Sequence, residues 1–216
     1  MLKILTISDD VKRQLYNLKF KEEYHDVDLI LSCGDLPFYY LEFLVSMLNV
    51  PLYYVFGNHH IQPMITANGA EMKSPGGCVN IDNRIVAYKG LLIGGFEGCM
   101  KYNYGPKQYS DFEMWQKVQK MKPAFWKNKL LHQRYVDIII THAPPYGIHD
   151  KPDRCHRGFK SFRSVIEKYA PRYFIHGHIH RYHLNEEWKT EYQRTTVINT
   201  CGYQILEIDE TDLSRC

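Results

Sequence analysis

Residues 27–60 read VDLILSCGDLPFYYLEFLVSMLNVPLYYVFGNHH, and they contain the pattern from which the fold can be predicted. Two short apolar runs, Val27 to Leu31 and Pro51 to Phe56, enclose an apolar segment of helical length, Tyr39 to Leu48. Short apolar runs rich in β-branched and aromatic residues are typical of buried strands. Strand, helix and strand in this order predict two parallel strands that are joined by a right-handed crossover.

The alternation continues in both directions along the chain. On the N-terminal side, Leu2 to Ile7 predicts a strand and Val11 to Tyr24 predicts a helix. On the C-terminal side, a helix is predicted at 159–169, and strands are predicted at 136–140, 173–175, 195–198 and 203–208. We therefore expect an α/β sandwich in one domain, residues 1–216, with sheets that are mixed rather than purely parallel.

A β-rich stretch in the middle of the chain predicts consecutive hairpins. Its strands are expected at Cys78 to Ile81, Arg84 to Tyr88 and Leu91 to Gly95. Asp82-Asn83 and Lys89-Gly90 separate these strands, and such residue pairs are favoured in tight turns.

A helix is predicted to begin at Ser110, because Ser110 and Glu113 have the spacing of a capping box. Pro123 is expected to interrupt it, and a second helical piece is predicted from Ala124 to Gln133. Basic residues between 101 and 134 are interleaved with Tyr102, Tyr104, Tyr109, Trp115 and Trp126. An amphipathic helix with its aromatic residues in the core is the favoured interpretation, and a nucleic-acid surface is the alternative.

The composition of the 216 residues indicates a folded protein, because 44% are apolar and 24% are charged. No run approaches the roughly 18 consecutive apolar residues of a membrane span, so we expect neither export nor membrane anchoring. The six cysteines are scattered without a CxxC pair, which is typical of free thiols in the cytoplasm. The net charge of +3 is too small to indicate a nucleic-acid partner by itself.

Five of the predicted strands are followed by Asp, Asn or His. The segments are Ser8-Asp9-Asp10, Ser32-Cys33-Gly34-Asp35, Gly57-Asn58-His59-His60, Thr141-His142 and His176-Gly177-His178-Ile179-His180. Because strand ends of an α/β sheet meet at one edge, we expect these side chains to converge. Carboxylate, amide and imidazole ligands suit Mn, Fe, Zn or Ni, and their number indicates two ions that share a bridging carboxylate. The sequence contains no P-loop and no GxSxG nucleophile elbow.

In this order the segments resemble the motifs of the calcineurin-like metallophosphoesterases, which are D-x-H, G-D, G-N-H-[DE], a later H, and G-H-x-H. The resemblance covers residues 4–180 and implies an α/β/β/α sandwich with mixed β-sheets. It also implies a metal-dependent phosphoric ester hydrolase, and a phosphodiesterase with a small or nucleotide-like substrate is favoured over a phosphatase. A nuclease and a catalytically inactive scaffold of the same fold are the alternatives.

The resemblance further implies a role for each residue of the motifs. Asp9 and His180 would hold the first metal, Asp35 would bridge, and Asn58, His142 and His178 would hold the second, with manganese as the favoured ion. His59 would donate a proton to the leaving oxygen or stabilise charge, while a metal-bridging hydroxide attacks phosphorus.

Two positions depart from the family motifs. Val11 stands where D-x-H has its histidine, and His60 stands where a carboxylate usually follows G-N-H. The first departure weakens the expected first metal site. Asp10 could substitute, although strand alternation would direct its side chain away from that of Asp9.

The remaining polar residues have other expected roles. His176 is expected in the core or behind the ligands, and His25, His132, His149 and His183 are expected to be structural or on the surface. In the polar segment 147–162, His156 and Arg157 are candidates for phosphate binding. The alternative for this segment is a solvated loop whose charges pair locally.

Overall fold

The structure of the chain is a computed structural model, and it describes residues 1–59, 64–65, 69, 71–180 and 187–209. These ranges contain the helices α1 (Phe20–Glu23), α2 (Phe38–Leu48), α3 (Asp111–His132) and α4 (Lys160–Tyr169). The strands are β1 (Leu2–Ser8), β2 (Leu29–Ser32), β3 (Leu52–Tyr54), β4 (Met64–Ile65), β5 (Glu71–Met72), β6 (Cys78–Asn80), β7 (Ile85–Tyr88), β8 (Leu91–Phe96), β9 (Cys99–Met100), β10 (Gln108–Tyr109), β11 (Ile138–Thr141), β12 (Tyr173–His176), β13 (Lys189–Tyr192), β14 (Thr195–Asn199) and β15 (Gly202–Ile208). His60 and His183 lie outside the described residues. No helix within the described ranges has the length and apolar character that crossing a membrane requires.

Two mixed sheets form the centre of the fold. The first has the strand order β15-β1-β2-β3-β6, and β15 is antiparallel to β1 while the other pairs are parallel. The second has the order β13-β14-β12-β11-β8-β7, with antiparallel pairs at its two edges and parallel pairs between them. The predicted α/β class with mixed sheets is confirmed.

Side-chain alternation gives each sheet two apolar faces. In β2, Leu31 joins an apolar cluster that both sheets share, and Ile30 joins a cluster with residues of α1 and α2. In β11, Ile140 joins the shared cluster, and Ile139 packs with residues of α3 and α4. Fully burying such a side chain contributes about 1.5–3 kcal/mol. The clusters therefore separate four layers in the order helix, sheet, sheet, helix, as the α/β/β/α prediction requires.

Only one of the two predicted hairpins forms. β7 and β8 pair across Lys89 and Gly90, whose φ angles are 44° and 85°. β6 instead pairs in parallel with β3 in the first sheet, whereas β7 belongs to the second. The hairpin predicted at Asp82-Asn83 was wrong, because these residues carry the chain between sheets.

The helix predicted from Val11 to Tyr24 was also wrong, because helical structure there is confined to α1. The Asn17 amide donates hydrogen bonds to the carbonyl groups of Arg13 and Gln14, and its oxygen accepts one from the Lys19 N–H. In a continuous helix these backbone groups would instead take part in hydrogen bonds between residues four apart.

The break predicted at Pro123 does not occur, since α3 continues through this residue. Met121 and Phe125, on either side of Pro123, are buried in the same apolar cluster. We infer that this packing offsets the hydrogen bond that proline cannot donate.

The prediction of aromatic residues in the core was wrong for two tryptophans of α3. Trp115 and Trp126 are about half exposed, at 48% and 50%. Met114 and Val118 lie on the buried side of the helix instead.

The capping box at the start of α3 is confirmed and can be tested. Ser110 Oγ accepts a hydrogen bond from the Glu113 N–H at 3.2 Å, and the Glu113 carboxylate accepts one from the Ser110 N–H at 2.7 Å. Ser110→Ala is expected to lower the free energy of unfolding by about 1 kcal/mol, measured by urea denaturation. Ser164→Ala, at an exposed position inside α4, is the control and should cause no such loss. Equal effects of the two substitutions would contradict the capping role.

Candidate metal centre

The six predicted ligands all follow strand ends. Asp9, Asp35 and Asn58 follow β1, β2 and β3 of the first sheet, whereas His142, His178 and His180 follow β11 and β12 of the second. Asp9, Asp35 and His178 have positive φ angles of 64°, 56° and 68°. Such backbone conformations are strained for residues other than glycine and concentrate at functional sites.

Four of these residues meet in one centre. His142 Nε2 lies 3.2 Å from Asp35 Oδ2 and 3.0 Å from Asn58 Oδ1. The rings of His142 and His178 have centroids 4.7 Å apart. Donor atoms of Asp35, His142 and His178 lie within 4.8 Å of one another. Carboxylate, amide oxygen and imidazole at this spacing fit a divalent ion with bonds of roughly 2.0–2.2 Å.

Hydrogen bonds to groups behind this centre orient the ligands. His142 Nδ1–H donates to the Cys33 carbonyl at 2.8 Å, so Nε2 faces the centre. His178 Nε2–H donates to the Cys155 carbonyl at 2.9 Å, so Nδ1 is the ring nitrogen that could bind a metal. The Asn58 amide donates to the Tyr102 hydroxyl at 3.1 Å, so its oxygen points toward His142. Such contacts fix ring orientation and tune ligand strength.

Two glycines of the motifs allow backbone and carboxylate to approach closely. A Cβ atom on Gly57 would overlap Asp35 Oδ1, which accepts a hydrogen bond from the His59 N–H at 3.0 Å. A Cβ atom on Gly177 would lie 2.6 Å from Asp9 Oδ2, which accepts from the His178 N–H at 3.0 Å. Both carboxylates are therefore held by backbone that only glycine permits.

Burial and charge set the protonation of these groups. Burial alone would lower the pKa of His142, but the Asp35 carboxylate raises it to about 9. Burial would raise the pKa of Asp35, but His142 holds it below its ordinary value. Burial, reinforced by the charge of His142, lowers the pKa of His178 to about 3. His178 is therefore a neutral imidazole, the form that binds metals.

The residues expected around the first metal do not form a group like the one around His142. His180 Nδ1 lies 3.8 Å from Cys201 Sγ, and together with Asp10 these residues form a second group of donors within 4.8 Å of one another. Asp9 instead binds the His178 N–H, and burial raises the pKa of its carboxyl group. Val11, at the position of the family histidine, is 37% exposed. The structure thus brings together the second set of predicted ligands more completely than the first.

A sequence comparison decides the family. The model of the calcineurin-like phosphoesterase family matches residues 3–182. The chain belongs to this family. No curated protein sequence matches the chain significantly.

Solved structures show the same fold at low sequence identity. One crystal structure superposes with a TM-score of 0.62 and 15% identity over 94% of both chains. TT1561 of Thermus thermophilus superposes with a TM-score of 0.57 and 16% identity, over 93% of this chain and 89% of that protein. GAP50, the anchor in the inner membrane complex of Plasmodium, gives a TM-score of 0.51 and 14% identity, over 93% of this chain and 71% of GAP50.

Behind this phosphoesterase centre lies a chain of hydrogen bonds through two histidines. His176 is fully buried, as predicted, and its Nδ1–H donates to the Gly177 carbonyl at 2.9 Å. Its Nε2 accepts a hydrogen bond from His149 at 2.9 Å, and His149 also contacts the Thr190 hydroxyl at 2.8 Å. Burial and the neighbouring His149 lower the pKa of His176 well below its ordinary value. These hydrogen bonds therefore support Gly177, next to the predicted ligand His178, with uncharged groups.

The predicted proton donor and the predicted substrate residues have different neighbours. His59 lines a cavity of about 290 Å³ together with Asp35, Phe38 and Phe56. His156 has its ring 5.3 Å from that of His178, and its Nδ1 contacts Asp153 at 2.9 Å. Arg157 instead lines a groove together with Met100, Lys101, Ser110, Asp111 and Arg154. His156 is thus beside the predicted ligands, whereas Arg157 belongs to a different groove.

Gly57→Ala tests the close approach of backbone to Asp35. The added methyl group is expected to displace the Asp35 carboxylate, to weaken binding of Mn²⁺ or Zn²⁺ and to destabilise the fold by about 1–3 kcal/mol. Calorimetric metal titration and urea denaturation measure the two effects. Gly76→Ala is the control, because a Cβ atom there would meet only the end of the Glu42 side chain, at 3.3 Å. Unchanged metal affinity in Gly57→Ala would contradict the predicted role of Asp35.

The His142–Asp35 pair predicts a pH dependence in protein stripped of metal by a chelator. The pKa of His142 is raised to about 9 in the folded chain, so its stabilising contribution is complete below about pH 6.5. This contribution is lost as the pH rises through about 9. Denaturation at several pH values should show the loss in the wild type and a smaller one in Asp35→Asn. NMR titration of the His142 ring gives a direct check, and an ordinary pKa near 6.5 would contradict the pairing.

Proposed function

We propose that the protein is a phosphodiesterase that acts on a small or nucleotide-like substrate with two divalent ions. Membership of the phosphoesterase family already implies metal-dependent hydrolysis of phosphoric esters. The observation that carries the proposal is the convergence of three residues that follow three strands: His142 Nε2 lies 3.0 Å from Asn58 Oδ1 and 3.2 Å from Asp35 Oδ2. Manganese is the first ion to test for this centre, because its donors are oxygen and nitrogen atoms.

The chain supplies the ligands and their orientation. Asp35 and Asn58 would contribute oxygen atoms, and His142 and His178 would contribute imidazole nitrogens that are already directed toward the centre. When bound, the divalent ions supply charge stabilisation for the phosphoryl oxygens and activate the water that attacks phosphorus. Tyr102 holds the Asn58 amide, so the ligand geometry exists before substrate arrives.

His59 is proposed to protonate the leaving oxygen. Its backbone N–H binds Asp35, which fixes the start of its side chain next to the centre. The cavity that His59 and Asp35 share is also lined by Phe38, Leu41 and Phe56, which gives the leaving group an apolar surface. A positioned acid of this kind typically contributes 10²–10⁴-fold to the rate.

The residues near His178 are proposed to hold the phosphate. His156 lies beside His178, and Asp153 orients its ring through contacts of 2.9 and 3.0 Å. The groove that contains Arg157 also contains Lys101 and Arg154, so a second anionic group of a diester could be bound there. This charge distribution favours a diester that carries a further negative charge.

Asp35→Asn tests the proposed activity. The wild type is expected to hydrolyse a generic aryl phosphodiester in the presence of Mn²⁺ and to lose this activity with a chelator. Asp35→Asn should lower kcat by at least about 10²-fold, because the substitution removes a charged ligand. Asp26→Asn, which alters only the exposed ion pair with Lys3, is the matched control and should remain active. A wild type loaded with metal that hydrolyses no ester would count against the proposal.

His59→Gln tests the proton donor through the leaving group. The loss of kcat should be small for a nitrophenol leaving group, which departs without protonation. It should reach about 10²–10⁴-fold for an alkyl or nucleoside leaving group, which needs a proton. Rate constants for a series of leaving groups give the comparison. An equal loss for all of them would instead indicate charge stabilisation by His59.

The two alternatives, a scaffold and a nuclease, predict different experimental results. A scaffold without catalysis, suggested by Val11 and His60, should contain no metal when the purified protein is analysed for its elements. A nuclease should bind nucleic acid through the basic residues between 101 and 134, with an affinity that falls steeply with salt. A cytoplasmic location remains a prediction from the cysteine pattern.

A further inference from the structure

A group of three side chains with different donor atoms lies beside the proposed centre. Asp10 follows β1, His180 follows β12, and Cys201 lies between β14 and β15. Cys201 Sγ is 3.8 Å from His180 Nδ1 and 3.9 Å from Asp10 Oδ2. Three separate strand ends therefore bring a thiol, an imidazole and a carboxylate together.

Buried hydrogen bonds hold the loops of this group in place. The side chain of Asn199, which is 1% exposed, donates to the Ile179 carbonyl at 2.8 Å and accepts from the Cys201 N–H at 3.1 Å. It therefore joins the residue before His180 to Cys201 itself. A backbone bridge between Ser8 and Cys201 ties the same loop to the end of β1, which leads into Asp10.

The two donor separations from Cys201 Sγ are close to those around a tetrahedral ion, and all three donors lie within 4.8 Å of one another. Bonds of about 2.3 Å to sulfur and about 2.1 Å to nitrogen or oxygen place such donors about 3.6 Å apart around a tetrahedral centre. The separations of 3.8 and 3.9 Å from Cys201 Sγ need to contract only slightly. A thiolate in the ligand set favours a soft or borderline ion over Mn²⁺ or Mg²⁺.

We infer that Asp10, His180 and Cys201 form a zinc-type site with a fourth, open coordination position. The inference deepens the proposed function, because it assigns the ion on the His180 side to ligands that the family motifs do not include. It concerns binding alone and does not require that the protein hydrolyse any ester.

Lys12 is a charged neighbour of the proposed zinc-type site. Its Nζ lies 3.1 Å from Asp10 Oδ2, and its side chain is 37% exposed. A carboxylate has four lone-pair positions, so Asp10 can accept a hydrogen bond from Lys12 and also bind an ion. The ammonium group still competes electrostatically with a cation, and Lys12→Met should therefore tighten metal binding. Weaker binding in this variant would contradict a metal at Asp10.

Cobalt(II) provides a direct test, because it occupies zinc sites and a thiolate ligand gives it a charge-transfer band in the near ultraviolet. Titration of the full chain with Co²⁺ should produce this band, and Zn²⁺ should abolish it by displacement. Cys201→Ser should remove the band and weaken Zn²⁺ binding by more than the roughly 10–100-fold typical of losing an outer-shell partner.

Cys155→Ser is the matched control, because Asp153, Cys155 and His156 are the other thiol-containing donor group of the described residues. The band should persist in this variant. Absence of the band in the wild type, or its persistence in Cys201→Ser, would overturn the inference. Circular dichroism shows whether Cys201→Ser is folded, and Asp10→Asn provides a second variant that should weaken Co²⁺ binding while retaining the thiol.

The result of the cobalt titration is independent of the activity assay. A cobalt–thiolate band without ester hydrolysis would leave the site intact and remove only the proposed function. Hydrolysis that depends on Asp35 without any such band would support the proposed function and contradict the zinc-type site.

Discussion

The imidazole of His142 joins the two sheets at their carboxyl ends, and the geometry of the candidate centre depends on this contact. His142 follows β11 of the second sheet, whereas both of its ring nitrogens contact residues that follow β2 of the first, Cys33 O at 2.8 Å and Asp35 Oδ2 at 3.2 Å. The ring is fully buried, so each of these polar contacts offsets a desolvation cost. If Asp35 moved away, the buried imidazole would lose its charged partner and keep only Asn58 Oδ1 as a polar contact of Nε2. The candidate centre is therefore held together by contacts between groups that follow strands of both sheets.

The sequence was sufficient to predict which side chains lie at this edge. Asp35, Asn58, His142 and His178 each follow an apolar run within a few residues, and parallel strands necessarily end on the same side. The contacts that orient these residues could not be predicted in the same way. Tyr102 is 44 residues from Asn58, and the Cys155 carbonyl is 23 residues from His178. Neither partner carries a local signal, because only the tertiary fold brings it to the ligand.

The errors in the fold prediction have physical causes that leave the centre unchanged. The segment 11–24 has helical periodicity, but the side chain of Asn17 competes for its backbone groups. Pro123 normally ends a helix, but burial of Met121 and Phe125 holds both sides of it in the same core. The strand β13 has an alternating pattern of exposed and partly buried residues at a sheet edge, and its sequence lacks an apolar run. In each case the strands that precede the predicted metal ligands keep the order that the sequence predicts.

The position of Cys201 offers an explanation for the departure from the family motif at Val11. The family motif places a histidine two residues after its aspartate, so that one strand end supplies two ligands. In this chain Val11 is partly exposed, and Cys201, which lies next to β1 through its bridge with Ser8, reaches toward His180 instead. A donor lost from one strand end can thus be replaced from the neighbouring one, since β15 pairs with β1 along its whole length. The proposed replacement would exchange imidazole for a thiol, and the two halves of the site would then differ in the ions that they prefer.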